Sequence, residues 1–96
     1  MSYTFFHCPI FKADIGSWDT SRVTTMLYTF CFCREFNADL GAWDTSSVTN
    51  VSYLFYGCEA YNNDLSNWNT SAVTNHQGCF HDANPAWPAV RRPQLA

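Results

Sequence analysis

Residues 43–51 read W-D-T-S-S-V-T-N-V, and the phrase is written three times in the chain. W-D-T-S-R-V-T-T-M stands at residues 18–26 and W-N-T-S-A-V-T-N-H at residues 68–76, so the tryptophans recur every 25 positions. A fixed period of this length marks a repeat architecture, in which one unit is too small to fold alone. Most of the chain falls into register at that shift. The apolar columns are Ile15, Leu40, Leu65; Trp18, Trp43, Trp68; Val23, Val48, Val73; and Met26, Val51, His76. They continue with Phe5, Phe30, Phe55, Phe80; Cys8, Cys33, Cys58; and Phe11, Phe36, Tyr61. Polar columns hold too: Asp14, Asp39, Asp64; Thr20, Thr45, Thr70; Ser21, Ser46, Ser71; and Thr24, Thr49, Thr74.

Within the middle unit Val48, Val51, Phe55 and Cys58 lie at i, i+3, i+7 and i+10, one face of a helix. Thr45 and Ser46 precede this run, where hydroxyls accept from the free N–H groups of a first turn, and Gly57 suits a helix end. Thr20, Ser21, Thr70 and Ser71 hold the same cap positions in the neighbouring units. Upstream, A-D-L-G-A-W is too short for a helix and reads as a brief strand or extended turn. Ordering such a unit costs on the order of 1.5 kcal/mol per residue, more than its few large apolar side chains return at roughly 1.5–3 kcal/mol each. Stacking removes the shortfall, because each Trp, Leu and Phe then covers its counterpart in the next unit. The expected fold is therefore an α/β repeat, a leucine-rich-repeat-like right-handed solenoid with one short strand and one short helix per 25-residue coil. Residues 1–80 hold about three repeats, with a partial first unit and a degenerate third helix. Residues 81–96 leave the pattern; Pro85, Pro88 and Pro93 predict an irregular tail or a partial cap there, with Trp87 as its one large apolar residue.

The quoted columns resemble the BspA-type leucine-rich-repeat surface proteins, in the divergent branch common among mycoplasma lipoproteins. Residues 36–58, F-N-A-D-L-G-A-W-D-T-S-S-V-T-N-V-S-Y-L-F-Y-G-C, follow that family's F-N-x-D-I/L-S-x-W-D-T-S-x-V-T-N-M-x-x-M/L-F-x-x-A/C pattern. The resemblance runs from about Met1 to Phe80. It implies a cell-surface or extracellular module, part of a longer array, that serves adhesion or protein binding. It carries no catalytic residues. Met1 aligns with Met26, so the sequence opens inside a repeat, and the expectation is a short or truncated array without a signal peptide.

Bulk composition limits the alternatives. The 96 residues are 47% apolar and 18% aromatic, which argues for a packed core, and charged residues make up only 14% with a net charge of −3. A nucleic-acid footprint is absent, and no apolar run is long enough to span a bilayer. Five cysteines are an odd number, so one has no partner within the chain. Cys8, Cys33 and Cys58 fall on the expected buried face as packing thiols, whereas Cys31 and Cys79 lie outside that column and are expected to be exposed and oxidisable. His76, Cys79 and His81 do not have zinc-ligand spacing, and the neighbours His7 and Cys8 make a poor catalytic pair.

No enzyme activity, cofactor or metal site is expected. The row Asp14, Asp39, Asp64 is where a calcium ladder would lie, but turn and cap roles account for those residues, as for Asp19, Asp44 and Asn69. The Thr and Ser rows could offer hydroxyls to an ice or glycan surface, although capping and coil-to-coil hydrogen bonds use the same groups. Asn50-Val51-Ser52 and Asn69-Thr70-Ser71 match the glycosylation triplet. The leading functional expectation is a non-enzymatic module that meets a protein or glycan partner through exposed columns such as Tyr28 and Tyr53. End-to-end self-association into filaments is the alternative, with a cation- or ice-binding solenoid as a weaker one.

Overall fold

The computed structural model describes residues 15–95. Phe5, Cys8, Phe11 and Asp14 of the expected columns, and His7, lie outside the described residues. Each repeat begins with two tight turns. The amides of Trp18, Trp43 and Trp68 donate to the carbonyls of Ile15, Leu40 and Leu65 at 3.0–3.1 Å, and those of Val23, Val48 and Val73 donate to Thr20, Thr45 and Thr70 at 3.0 Å. Parallel bridges then join Thr25 to Asn50 and Asn50 to Asn75, at the end of the repeated phrase rather than within A-D-L-G-A-W.

Beyond each bridge the expected helix is replaced by a ribbon of turns. Among the described residues the one helical element is a 3-10 turn at Ala89–Arg91, and no α-helix forms over 23–33, 48–58 or 73–83. The amides along these stretches alternate between two destinations. Thr29, Cys31 and Cys33 close i→i+3 turns on Met26, Tyr28 and Phe30, while Met26, Tyr28, Phe30 and Phe32 donate to Asn50, Ser52, Leu54 and Tyr56 of the next repeat. The pattern recurs one unit on: Val51, Tyr53, Phe55 and Gly57 donate to Asn75, Gln77, Cys79 and His81. A helix of about ten residues is marginal by itself. Here its alternate amides find partners in the adjacent repeat, and the apolar i, i+3 spacing is that of the turns. Left-handed backbone at Tyr28, Phe32, Tyr53, Gly57, Gly78 and Asp82, with φ from 54 to 70°, breaks any helical run.

With no helix to begin, the cap residues act elsewhere. Thr20, Thr45 and Thr70 send their hydroxyls to the carbonyls of Asp44, Asn69 and Gln94, each 24 residues on, at 3.0, 3.1 and 2.6 Å. Ser21, Ser46 and Ser71 donate main-chain N–H and side-chain O–H to the side-chain oxygen of Asp19, Asp44 and Asn69 two residues earlier. These hydroxyls hold repeats together and close turns.

The core lies between the turn ribbons and is built from stacked column mates. Phe30–Phe55, Phe55–Phe80, Phe36–Tyr61 and Trp43–Trp68 are near-parallel with ring centroids 5.5–6.4 Å apart. Ile15, Leu40, Leu65, Met26, Val48, Val51, Cys33 and Cys58 are buried among them, with Val23, Val73 and Phe80 partly covered. Trp43 and Trp68 send their indole N–H back to the carbonyls of Ile15 and Leu40 at 2.8 and 2.9 Å, so each is covered by the repeat before it. Trp18, at 45% exposure, departs from the expected buried ladder. His76 is likewise exposed where Met26 and Val51 are buried.

Tyr61 occupies a column whose neighbouring member is Phe36. Its hydroxyl is buried near the Leu40 main chain and the Asn63 side chain without making a hydrogen bond of good geometry. A buried unpaired hydroxyl costs about 1–3 kcal/mol. Tyr61→Phe is therefore expected to raise unfolding free energy by about 1 kcal/mol in urea titration. A destabilised variant would mean that the phenol has a partner.

The stretch after Phe80 continues the stack. Asn84 donates to Cys58 at 3.0 Å, Leu65 donates to Arg91 at 2.7 Å, and Gln94 accepts from Thr70 as Asp44 and Asn69 accept from Thr20 and Thr45. Residues 91–94 thus run in the register of a fourth unit although their sequence has lost the motif. Trp87 is buried edge-on to Phe55, Tyr61 and Phe80, and its indole donates to Asn63 at 2.7 Å. Arg92 lies over the Phe80 and Trp87 rings and donates to the Trp87 and Asn84 carbonyls.

Candidate functional site

Two backbone columns shape one face of the molecule. Residues 28, 53 and 78 and residues 32, 57 and 82 take left-handed conformations, and in each column the ring leans over the next repeat. Tyr28 stacks on Tyr53 with centroids 4.8 Å apart and planes within 10°. The Tyr53 ring then lies on the α-carbon of Gly78, where a Cβ would come within 2.5 Å of it. Phe32 covers Gly57 in the same way, 2.7 Å from where a Cβ would stand. Left-handed backbone costs a non-glycine residue roughly 1–2 kcal/mol, so Tyr28, Phe32 and Tyr53 are held there by stacking and inter-repeat hydrogen bonds.

Tyr56 and His81 fill the space between these columns. Tyr56 meets Phe32 edge-on at 4.9 Å, Tyr53 at 5.8 Å and His81 at 5.1 Å. All five rings are at least partly exposed. Shallow depressions open beside Tyr28, Cys31, Phe32, Tyr53 and Tyr56, and beside Tyr53, Tyr56, Gln77, Gly78 and His81. Arg34 and Glu59, 3.7 Å apart and well exposed, stand at the rim with Arg34 over the Phe32 ring. Of these pairs Tyr28 and Tyr53 stack face to face, whereas Tyr56 meets Phe32 edge-on and Tyr53 and His81 at a tilt. Tyr28 and Tyr53 were legible as a column; Phe32, Tyr56 and His81 were not, because position 31/56/81 changes from Cys to Tyr to His and 32/57/82 from Phe to Gly to Asp.

The polar rows are occupied within the fold. Asp39 accepts from the Gly41 amide at 2.9 Å, and Asp64 accepts from the Ser66 amide and hydroxyl at 3.0 and 2.7 Å. Hydrogen bonds from the serine two residues on hold the carboxyls of Asp19, Asp44 and Asp64 below the ordinary aspartate value. Thr49 and Thr74 donate their hydroxyls to the carbonyls of Thr24 and Thr49. Among the described residues no three His, Cys, Asp or Glu side chains converge as metal ligands.

Cys31 and Cys79 are buried rather than exposed. The turn ribbon points them inward, where a helix would have rotated them off the core face. Burial raises the Cys31 and Cys58 thiols above their ordinary value and pushes Cys79 up to about 12. All three stay protonated at neutral pH, and the thiolate is the reactive form. Cys31, Cys58 and Cys79 are expected to resist iodoacetamide at pH 8 in the native protein and to react fully in denaturant, as read by peptide mass spectrometry. Rapid native labelling of any of them would contradict this burial.

A family described as Mycoplasma protein of unknown function, DUF285, matches residues 1–89. The chain belongs to the DUF285 family. Comparison with curated proteins and with solved structures gave no significant match. The DUF285 match extends past Phe80 to residue 89. No helix among the described residues is long and apolar enough to cross a membrane.

Proposed function

We propose that this DUF285 chain is a non-enzymatic binding module of the BspA-like kind, a right-handed solenoid displayed at a cell surface, that recognises a protein partner. The observation that carries this reading is the aromatic face of Tyr28, Phe32, Tyr53, Tyr56 and His81, flanked by Arg34 and Glu59. Tyr and Arg are enriched at protein interfaces because they give large, rigid contact area with polar groups at the tip.

The test is binding of the purified chain to an array of immobilised extracellular-matrix proteins and glycans, with Tyr28→Ser and Tyr56→Ser variants alongside. The expected result is a protein ligand whose affinity falls about tenfold or more in Tyr56→Ser, as for a hot-spot residue. Binding confined to glycans, or binding indifferent to both substitutions, would remove the aromatic face from the role. Cleavage of the chain by protease added to intact cells tests the surface location; complete protection would place it elsewhere.

A further inference from the structure

The aromatic face adjoins a main-chain edge that offers donors alone. Tyr53, Phe55 and Gly57 donate to the third repeat at 2.9 Å each. The equivalent amides of that repeat, Gly78, Phe80 and Asp82, have no hydrogen-bond partner among the described residues. Gly78 and Phe80 are partly exposed and Asp82 is exposed. The amides between them, Cys79 and His81, are closed into turns on His76 and Gly78. Gly78 also lines the depression shared with Tyr53, Tyr56 and His81. Asp82 lines a further depression with Phe32, Arg34, Gly57, Glu59 and Pro85. Rings and donor edge therefore belong to one surface.

A segment docking here has to bring carbonyls with few N–H groups, and apolar surface for the rings. A β-strand edge presents N–H and C=O groups in alternation, so part of it would set N–H against N–H. An anion is opposed by the Asp82 carboxylate and the chain's net charge of −3. Proline meets both demands. Its nitrogen carries no hydrogen, its carbonyl remains an acceptor, and its ring packs against aromatic side chains. A proline-rich run also holds the polyproline II form without internal hydrogen bonds, so its carbonyls are free and little entropy is lost on docking. Charge adds a further requirement. The depression beside Phe32 carries two carboxylates, Glu59 and Asp82, against one arginine, Arg34, which already stands 3.7 Å from Glu59. The neighbour of Asp82 is the His81 imidazole at 3.7 Å, so one more cation is accommodated beside it.

From this complementarity we infer that the partner segment is a proline-rich stretch in polyproline II form, flanked by a lysine or arginine that meets Asp82. The inference rests on the aromatic face being the binding surface and adds the chemistry of what it binds. Proline rings pack against Tyr53, Tyr56 and His81, and carbonyls of the same segment accept from the open amides of the third repeat.

Amide-resolved NMR titration of the whole chain with three synthetic peptides tests this: a proline run ending in arginine, the same run ending in glutamine, and a Gly-Ser run ending in arginine. The proline-arginine peptide should bind about tenfold or more tighter than the Gly-Ser one and shift the Gly78, Phe80 and Asp82 amides. Asp82→Asn should weaken the arginine peptide about two- to fivefold and leave the glutamine peptide unchanged. Exchange protection at Tyr53, Phe55 and Gly57 reports that each variant is folded. Equal binding of the Gly-Ser peptide, no binding of the proline peptides, or shifts that spare the third-repeat amides overturns the inference. Equal effects of Asp82→Asn on both proline peptides overturn the basic residue. A protein ligand that is lost in Tyr56→Ser but not displaced by the proline-arginine peptide leaves the aromatic face standing and overturns the proline-rich partner. Proline-peptide binding that Tyr56→Ser does not weaken overturns both.

Discussion

Phe55→Ala is expected to lower the unfolding free energy by about 3–5 kcal/mol, the range for removing a buried aromatic ring. Phe55 is fully buried and touches more rings than any column mate's spacing would suggest: Phe30 and Phe80 along its own column, Tyr61 at 5.0 Å, Trp68 at 6.2 Å and Trp87 at 5.2 Å. The cavity cannot refill easily, because its walls are themselves stacked rings fixed by neighbouring repeats. A small domain has a total stability of only about 5–15 kcal/mol, so this one change removes a large share. Urea titration followed by tryptophan fluorescence reads it directly. Val90→Ala is the control, since Val90 is 76% exposed and its loss should fall within about 0.5 kcal/mol. A Phe55→Ala variant as stable as that control would mean the ring stack is not the core.

Trp87→Ala is expected to be about as costly, roughly 3–5 kcal/mol, although it lies in the stretch whose sequence has lost the repeat. The indole closes the end of the aromatic stack, donates to Asn63, and supports the Arg92 guanidinium on its other side. Its removal leaves Phe80, Tyr61 and Phe55 facing a void and frees Arg92 from one of its two rings. The expected readout is a thermal midpoint lower by about 4–8 °C per kcal/mol for a domain of this size. Amides paired to the end segment, Leu65 above all, should lose exchange protection first. A variant that melts with the wild type would mean that residues 84–95 contribute nothing to the core.

The columns were legible because burial acts on side-chain type, and a repeated environment repeats its residue. Leu40, Trp43, Val48, Phe55 and Cys58 could be assigned to the interior from the 25-residue register alone, and the structure buries each of them. The turn roles of Asp39, Asp64 and the Asp19, Asp44, Asn69 row were legible for a similar reason: a short oxygen-bearing side chain is the local acceptor for the amide two residues on. The helix over 48–58 was the misreading. An apolar i, i+3 pattern is shared by helices and by chained i→i+3 turns, and it does not say where the intervening amides go. Cys31 and Cys79 were misplaced as a consequence, since their direction was taken from helical geometry.

The aromatic face and the end segment were hidden for a different reason. Tyr53 over Gly78 and Phe32 over Gly57 are contacts between unlike residues of one column, so column identity conceals them. Residues 91–94 keep the hydrogen-bond register through main-chain carbonyls, which any sequence supplies. The sequence by itself determined the repeat length, the interior columns and the local turns, because hydrophobic burial and short-range side-chain chemistry depend on residue type and spacing. Only the tertiary structure decided which amides pair between repeats, which rings form a surface and where the stack is closed. Those outcomes depend on main-chain groups that every residue carries, and their partners are chosen by the neighbouring repeat.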